Sequence, residues 1–140
     1  MAADPSITAA SVAATANTVT ATGTAGATIT AGQPLYADSA NGGVLKPCLA
    51  TALASSVAVG VALHGSLVGQ PITYAISGNI TIPTLIAGTG YFCSTTTTGG
   101  YSDGTTLEVT TGTVYATFIG MSLSTTLMRL AITPTQVFNT

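Results

Sequence analysis

The sequence predicts an all-β protein, and three observations carry that prediction. Threonine, valine, alanine and glycine dominate the chain, and their branched or small side chains suit pleated strands. Charged residues make up 4% of the chain, against about 25% in ordinary globular domains, so the usual surface of an amphipathic helix is missing. Short runs also alternate: Ile72, Tyr74 and Ile76 would share one face of a strand.

The stretch 57–76 organises the rest of the prediction. An apolar run with a central Gly60 is followed by a turn over 65–71 and then by the alternating run. A glycine inside a strand indicates a bulge or a close approach of another backbone. The same pair of runs recurs at 115–123 and 127–132, where Gly120 stands in the place of Gly60.

The elements before and after this stretch follow from turn residues. Gly32 and Pro34 set a turn before a strand, and Asn41-Gly42 is a strong hairpin signal between that strand and the next. Pro47 places the return strand at an edge. Residues 50–56 are predicted as a loop or one short helical turn, and a further strand covers 80–82.

The second half of the sequence repeats this order. Residues 87–94 match 31–38, Gly99-Gly100 matches Gly42-Gly43, and 130–134 matches 74–78, with an offset of 56 residues at both ends. We therefore predict two similar halves of about 55 residues, over about 28–83 and 84–134. They form one compact β-barrel or β-sandwich spanning 23–140, with a short C-terminal tail.

Residues 1–22 are predicted as an extended N-terminal arm. The segment is mostly alanine and threonine without an aromatic residue, so it cannot offset its ordering entropy by burial. Two interpretations stay open: a flexible tail, or an arm that adds as a strand to the sheet of another subunit. The candidate contacts with a shell or a neighbouring subunit are the apolar residues Ile7, Val12, Val19 and Phe138.

The titratable residues do not suggest catalysis. General acid–base chemistry needs groups that converge, and the spacing brings none together, so we predict no enzyme, no cofactor and no metal site. His64 is expected at a strand end, Arg129 either pairs with Glu108 or points across a subunit interface, and Cys48 and Cys93 are expected as separate small apolar side chains. Two basic residues in all argue against nucleic-acid binding.

Membrane and export signals are also not predicted. The stretch 49–69 is apolar but contains serines, glycines and His64, which argues against a spanning helix. The N-terminus has no positive region followed by an apolar one, so no secretory signal is expected.

Three stretches resemble small bacteriophage structural proteins described as head decoration, cement or head-fibre proteins. They are Ala-Gly-Ala-Thr-Ile-Thr-Ala-Gly-Gln-Pro-Leu-Tyr-Ala-Asp-Ser at 25–39, Val-Gly-Val-Ala-Leu-His at 59–64 and Gly-Gln-Pro-Ile-Thr-Tyr at 69–74. The resemblance implies a β-rich homotrimer without catalytic residues. It would be a structural protein of the virion, on the outer surface of the capsid after assembly in the host cytoplasm, where it would bridge subunits of the major capsid protein and stabilise the shell.

Two other functions remain open at this point. A tail or baseplate fibre segment would use a similar trimer to recognise a host surface. A carbohydrate-binding module would need exposed aromatic residues, and the chain has no tryptophan; its five tyrosines are expected on strands and mostly in the core.

Overall fold

The computed structural model describes residues 7, 9–94, 97–103, 115 and 117–134, and in this part the chain is almost entirely β. The all-β prediction is confirmed: an antiparallel sheet curls into a half-barrel. The strands are β1 (Ala13–Ala14), β2 (Val19–Thr24), β3 (Pro34–Asp38), β4 (Val44–Pro47), β5 (Ala58–Ala62), β6 (Pro71–Thr81), β7 (Gly90–Cys93), β8 (Tyr101–Ser102), β9 (Thr117–Ser122) and β10 (Leu127–Pro134).

The helical elements of the described residues are short. The α-helix α1 covers Leu53–Ser56, and single 3-10 turns cover Ala9–Ser11 and Ser39–Asn41. None of these helices is long and apolar enough to cross a membrane.

The central strand of the sheet is β6, which has eleven residues. The strand order is β4-β3-β5-β6-β10-β9-β7-β8, and β1 and β2 also pair with β6. The first part of β6 pairs with β5 and β2, and its last four residues pair with β10 and β1. Gly78 lies at the change of partners with a φ of 83°, a left-handed conformation that glycine adopts without strain.

The strands β3–β6 (the first half) and β7–β10 (the second half) are built alike. Gly32 N donates to Ala62 O and Gly88 N donates to Ser122 O, both at 2.8 Å. Ala62 N donates to Gln33 O and Ser122 N donates to Thr89 O, both at 2.9 Å. The two halves therefore enter their first strands through the same hydrogen-bonded turn.

Both halves also carry a bulge at the predicted glycine. The β3–β5 register shifts after the pair Leu35–Gly60, and the β7–β9 register shifts after the pair Tyr91–Gly120. The structure corrects the alignment of the last strands, because Gly60 lies against the carbonyl of Ala75 whereas Gly120 lies against that of Arg129. These two residues are 54 positions apart rather than 56, since the second half has a shorter β9–β10 turn.

Two apolar clusters form the core. The smaller cluster lies within the first half and contains Ala25, Ile29, Leu35, Leu45, Ala62 and Ile72. There the sheet curls so far that Ala25, directly after β2, forms a parallel bridge with Leu45 on β4. The larger cluster includes Val61 and Ile80 together with Tyr91 and Ile119, so the two halves share it.

The N-terminal segment differs from the predicted arm. Within 9–24 it packs on the sheet of its own chain, where β1 and β2 pair with β6. The side chains of Thr15 and Thr18 donate to Asn79 O, and Asn79 N donates to Asn17 Oδ1 at 3.1 Å. Backbone pairing and these polar contacts order the segment without large apolar side chains, and the predicted boundary at residue 22 falls inside β2.

Candidate interaction surface

The ion pair of the first hairpin has a structural role. Lys46 Nζ donates to Asp38 Oδ2 at 2.7 Å, and Asn41 Nδ2 donates to the same oxygen at 2.6 Å. The Lys46 ammonium, followed by the Asn41 amide, holds the pKa of the Asp38 carboxyl below its ordinary value, and Asp38 raises the pKa of Lys46. Asp38 Oδ1 also accepts from Ala40 N, which caps the turn between β3 and β4.

Both ring nitrogens of His64 form hydrogen bonds to the backbone around the connection between β5 and β6. Its Nε2 accepts from Thr73 N at 2.9 Å, so the proton lies on Nδ1, which donates to Gly65 O at 2.8 Å. Both ring nitrogens of this neutral tautomer are occupied, and the side chain lies at a strand end as the sequence indicates. The geometry leaves no free nitrogen for a ligand.

The other charged residues of the described part, Asp103 and Arg129, lie on different strands or loops. Arg129 is exposed on β10, between Asn79 on β6 and Met121 on β9. Asp103 follows β8 and is half-buried. Glu108, which the sequence offered as a partner for Arg129, lies outside the described residues. Within the described ranges, no three His, Cys, Asp or Glu side chains could hold a metal ion together.

The two cysteines are buried and free, as expected of small apolar side chains. Burial, followed by the neighbouring Cys93 thiol, raises the pKa of Cys48 far above its ordinary range. Tyr101 belongs to the same core cluster as both cysteines and donates from its hydroxyl to Gly32 O at 2.6 Å. Burial, followed by the neighbouring thiols, raises the pKa of Tyr101 well above its ordinary value.

An exposed apolar surface lies at the end of β9, and we call Ile86, Met121 and Leu123 the β9 patch. Their exposed fractions are 54%, 42% and 49%. Met121 and Leu123 flank the buried Ser122, whose hydroxyl donates to Ile86 O, so residue 86 is held beside the end of β9. The cross-strand neighbour of Met121 is Arg129, which adds a cation beside the patch.

A second exposed apolar pair lies at the opposite end of β6. Leu67 and Val68, which we call the turn pair, are 58% and 67% exposed in the loop before β6. The β9 patch lies near the other end, where Ile82 N donates to Thr126 O. The two apolar surfaces are therefore separated by the length of β6.

The predicted contact residues have different fates. Val12 is 8% exposed and belongs to the larger core cluster, so most of its side chain packs inside its own chain. Ile7 is half-buried against the same cluster, Val19 is half-exposed on β2, and Phe138 lies outside the described residues. The sequence distinguishes residue 86 in the repeat, because an isoleucine stands where the first half has the polar Thr30.

A cavity of about 400 Å³ lies between the two halves. Its walls are the loop Thr30–Gln33, the segment 97–101 and Ile7. Among the described residues, hydroxyl, amide, apolar and backbone groups line it, and none of these side chains is charged. Its titratable group, the Tyr101 hydroxyl, donates to Gly32 O, so this lining does not suggest acid–base chemistry.

No protein-family model matches the chain, and a comparison with curated proteins finds no significant match.

Proposed function

We propose that this chain is a decoration, or cement, protein of a bacteriophage head. It binds the outer face of the assembled shell as a homotrimer and bridges neighbouring subunits of the major capsid protein. The observation that carries the proposal is the β9 patch, an apolar surface on a nearly charge-free protein. The resemblance of 25–39, 59–64 and 69–74 to such proteins supports the same function.

The chemistry of the described residues favours binding over catalysis. The Asp38–Lys46 pair and His64 are engaged in contacts within the fold, and the two thiols are buried in the core. A shell cement contributes contact area and needs no reactive group. Since it binds the assembled shell, it stabilises that state by mass action.

The size of the β9 patch favours an oligomer. Full burial of an aliphatic side chain is worth about 1.5–3 kcal/mol, and these three are already about half covered, so their burial contributes roughly 3 kcal/mol in total. This free energy is small beside the entropy that association loses. A trimer offers three patches in one binding event, which multiplies the effect.

The alternative of a host-surface or carbohydrate-binding protein has less support. Sugar binding uses exposed aromatic rings, but Tyr91 and Tyr101 are buried and Tyr36, Tyr74 and Tyr115 are half-buried. The exposed apolar side chains of the described part are all aliphatic or methionine. A tail or baseplate fibre segment remains the second candidate, and the experiment below separates it.

The test mixes the purified chain with undecorated shells, which are assembled without it from the major capsid protein of the same phage. Light scattering first gives the oligomeric state, and sedimentation with the shells then measures binding. We expect a trimer that binds and raises the melting temperature of the shells. A trimer that ignores them would favour the fibre, and a monomer that ignores them would favour a binding module.

Two matched double variants test the surface. Met121→Ser with Leu123→Ser removes apolar area from the β9 patch and should weaken shell binding at least tenfold. Leu67→Ser with Val68→Ser removes similar area from the turn pair and should leave binding unchanged. Equal binding by both variants would overturn the assignment of the patch.

A further inference from the structure

Cys48 and Cys93 lie side by side where the two halves meet. Cys48 follows β4 of the first half, Cys93 ends β7 of the second, and both are fully buried in the shared core cluster. Ala50 N donates to Ser94 O at 2.9 Å, and Gly99 N donates to Cys48 O at 2.7 Å. These backbone bonds hold the two cysteine-bearing segments beside each other.

The two thiols are free and close enough to influence each other. Each cysteine is unoxidised in the structure, and the Cys93 thiol adds to the burial that raises the pKa of Cys48. The Cys93 thiol itself donates to Ser56 O at 4.0 Å. Two neighbouring buried thiols that are 45 positions apart in the sequence are an arrangement that the sequence spacing does not reveal.

We propose that Cys48 and Cys93 form a dithiol site that is reversibly oxidised to an intramolecular disulfide joining the two halves. The oxidant is a small disulfide such as oxidised glutathione. One protein thiol loses its proton and attacks a sulfur of the oxidant, which releases one glutathione thiol and leaves a mixed disulfide. The second protein thiolate attacks the protein sulfur of that bond and releases the other glutathione thiol. The protein loses two protons and two electrons, and the oxidant gains them.

The rate of this oxidation follows local opening. Thiolate is the attacking species, and burial suppresses it in the closed fold, so the native site should react slowly. The segment of Gly99 and Gly100 is bonded to the backbone of Cys48 and also lines the cavity between the halves. Breaking the bond from Gly99 N to Cys48 O would give the oxidant access, and mild denaturant should speed the reaction.

The experiment uses the full chain, reduced and then incubated with oxidised glutathione at several urea concentrations below the unfolding transition. We expect intact mass to show the loss of two hydrogens without added glutathione. Alkylation after denaturation should find no free thiol in the oxidised monomer. Peptide mapping should show the fragment with Cys48 joined to the fragment with Cys93. Because the new loop constrains the unfolded chain, the melting temperature should rise by roughly 10 °C and return on reduction.

Two single variants serve as controls. In Cys48→Ser and Cys93→Ser the oxidant should add at most one glutathione and should not raise the melting temperature. If the variants do not fold, the wild-type mass and thiol count decide alone. Retention of two free thiols at every urea concentration, glutathione on both cysteines, or a cross-link between chains would each overturn the proposal.

Discussion

The bulge glycines give the sharpest test of the repeated architecture. A Cβ atom added at Gly60 would lie 2.6 Å from the carbonyl oxygen of Ala75 and would also meet the ring of Tyr74. At Gly120 it would meet the carbonyl oxygen of Arg129 and approach Met128 Cγ to 3.0 Å. In both places the obstacle is the backbone of the neighbouring strand, which cannot move aside as a flexible side chain does.

We expect Gly60→Ala and Gly120→Ala to destabilise the protein by similar amounts. Overpacking of this kind costs about 1–3 kcal/mol. An unfolding entropy of about 2.1 cal/mol/K per residue over 140 residues gives about 0.3 kcal/mol/K, so the melting temperature should fall by roughly 3–10 °C. Differential scanning calorimetry measures the shift, and urea unfolding gives the free energy independently.

Gly65→Ala is the matched control. There the added Cβ would meet only the carbonyl oxygen of Ile29, at 3.3 Å, and the residue does not have a positive φ. The restricted unfolded chain of alanine offsets this mild contact, so stability should change by less than about 1 kcal/mol. Melting temperatures of the two bulge variants within 1 °C of wild type would refute the reasoning, because the backbone would then have absorbed the clash.

Three further predictions concern the core, the first hairpin and the N-terminal segment. Leu35→Ala should lower the free energy of unfolding by about 2–5 kcal/mol in urea titration, because the side chain is fully buried. The exposed control Val68→Ala should lower it by under about 0.5 kcal/mol. Equal effects of the two variants would contradict the described core. Because the pKa of Asp38 is lowered in the fold, its stabilisation is complete above the ordinary carboxyl pKa of about 3.9 and is lost as the pH falls through the lowered value. Lys46→Met should abolish most of this acid dependence, and an unchanged pH profile would refute the pairing. Asn17→Ala should speed hydrogen exchange of the Asn79 amide, which donates to Asn17 Oδ1, by roughly fivefold, since a hydrogen bond contributes about 1 kcal/mol. Unchanged exchange of this amide would show that the Asn17 side chain does not anchor the segment.

The features that the sequence could predict are those with a local signature. Alternation over 72–76 marks β6, and a glycine within an apolar run marks the bulges at Gly60 and Gly120. These patterns depend only on neighbours along the chain. The class of the fold followed from them because strand periodicity and turn residues are both short-range signals.

The features that could not be predicted from the sequence depend on pairing between residues that are far apart in the chain. The segment 13–24 pairs with β6 mainly through backbone groups, which every residue carries. Its amino-acid composition therefore does not predict which strand it pairs with. Val12 reaches the core because that pairing brings it there. The proximity of Cys48 and Cys93 likewise follows from the packing of the two halves, which the spacing of the cysteines in the sequence does not indicate.

The pairing of β1 and β2 with β6 has a consequence for synthesis on the ribosome. These strands leave the ribosome about 60 residues before their partner, which at 5–20 residues per second is a wait of roughly 3–12 s. During that time their backbone groups are unpaired and exposed to other nascent chains. The small and hydroxyl side chains of 13–24 give little apolar surface for aggregation, so the composition suits a segment that must wait in water before it folds.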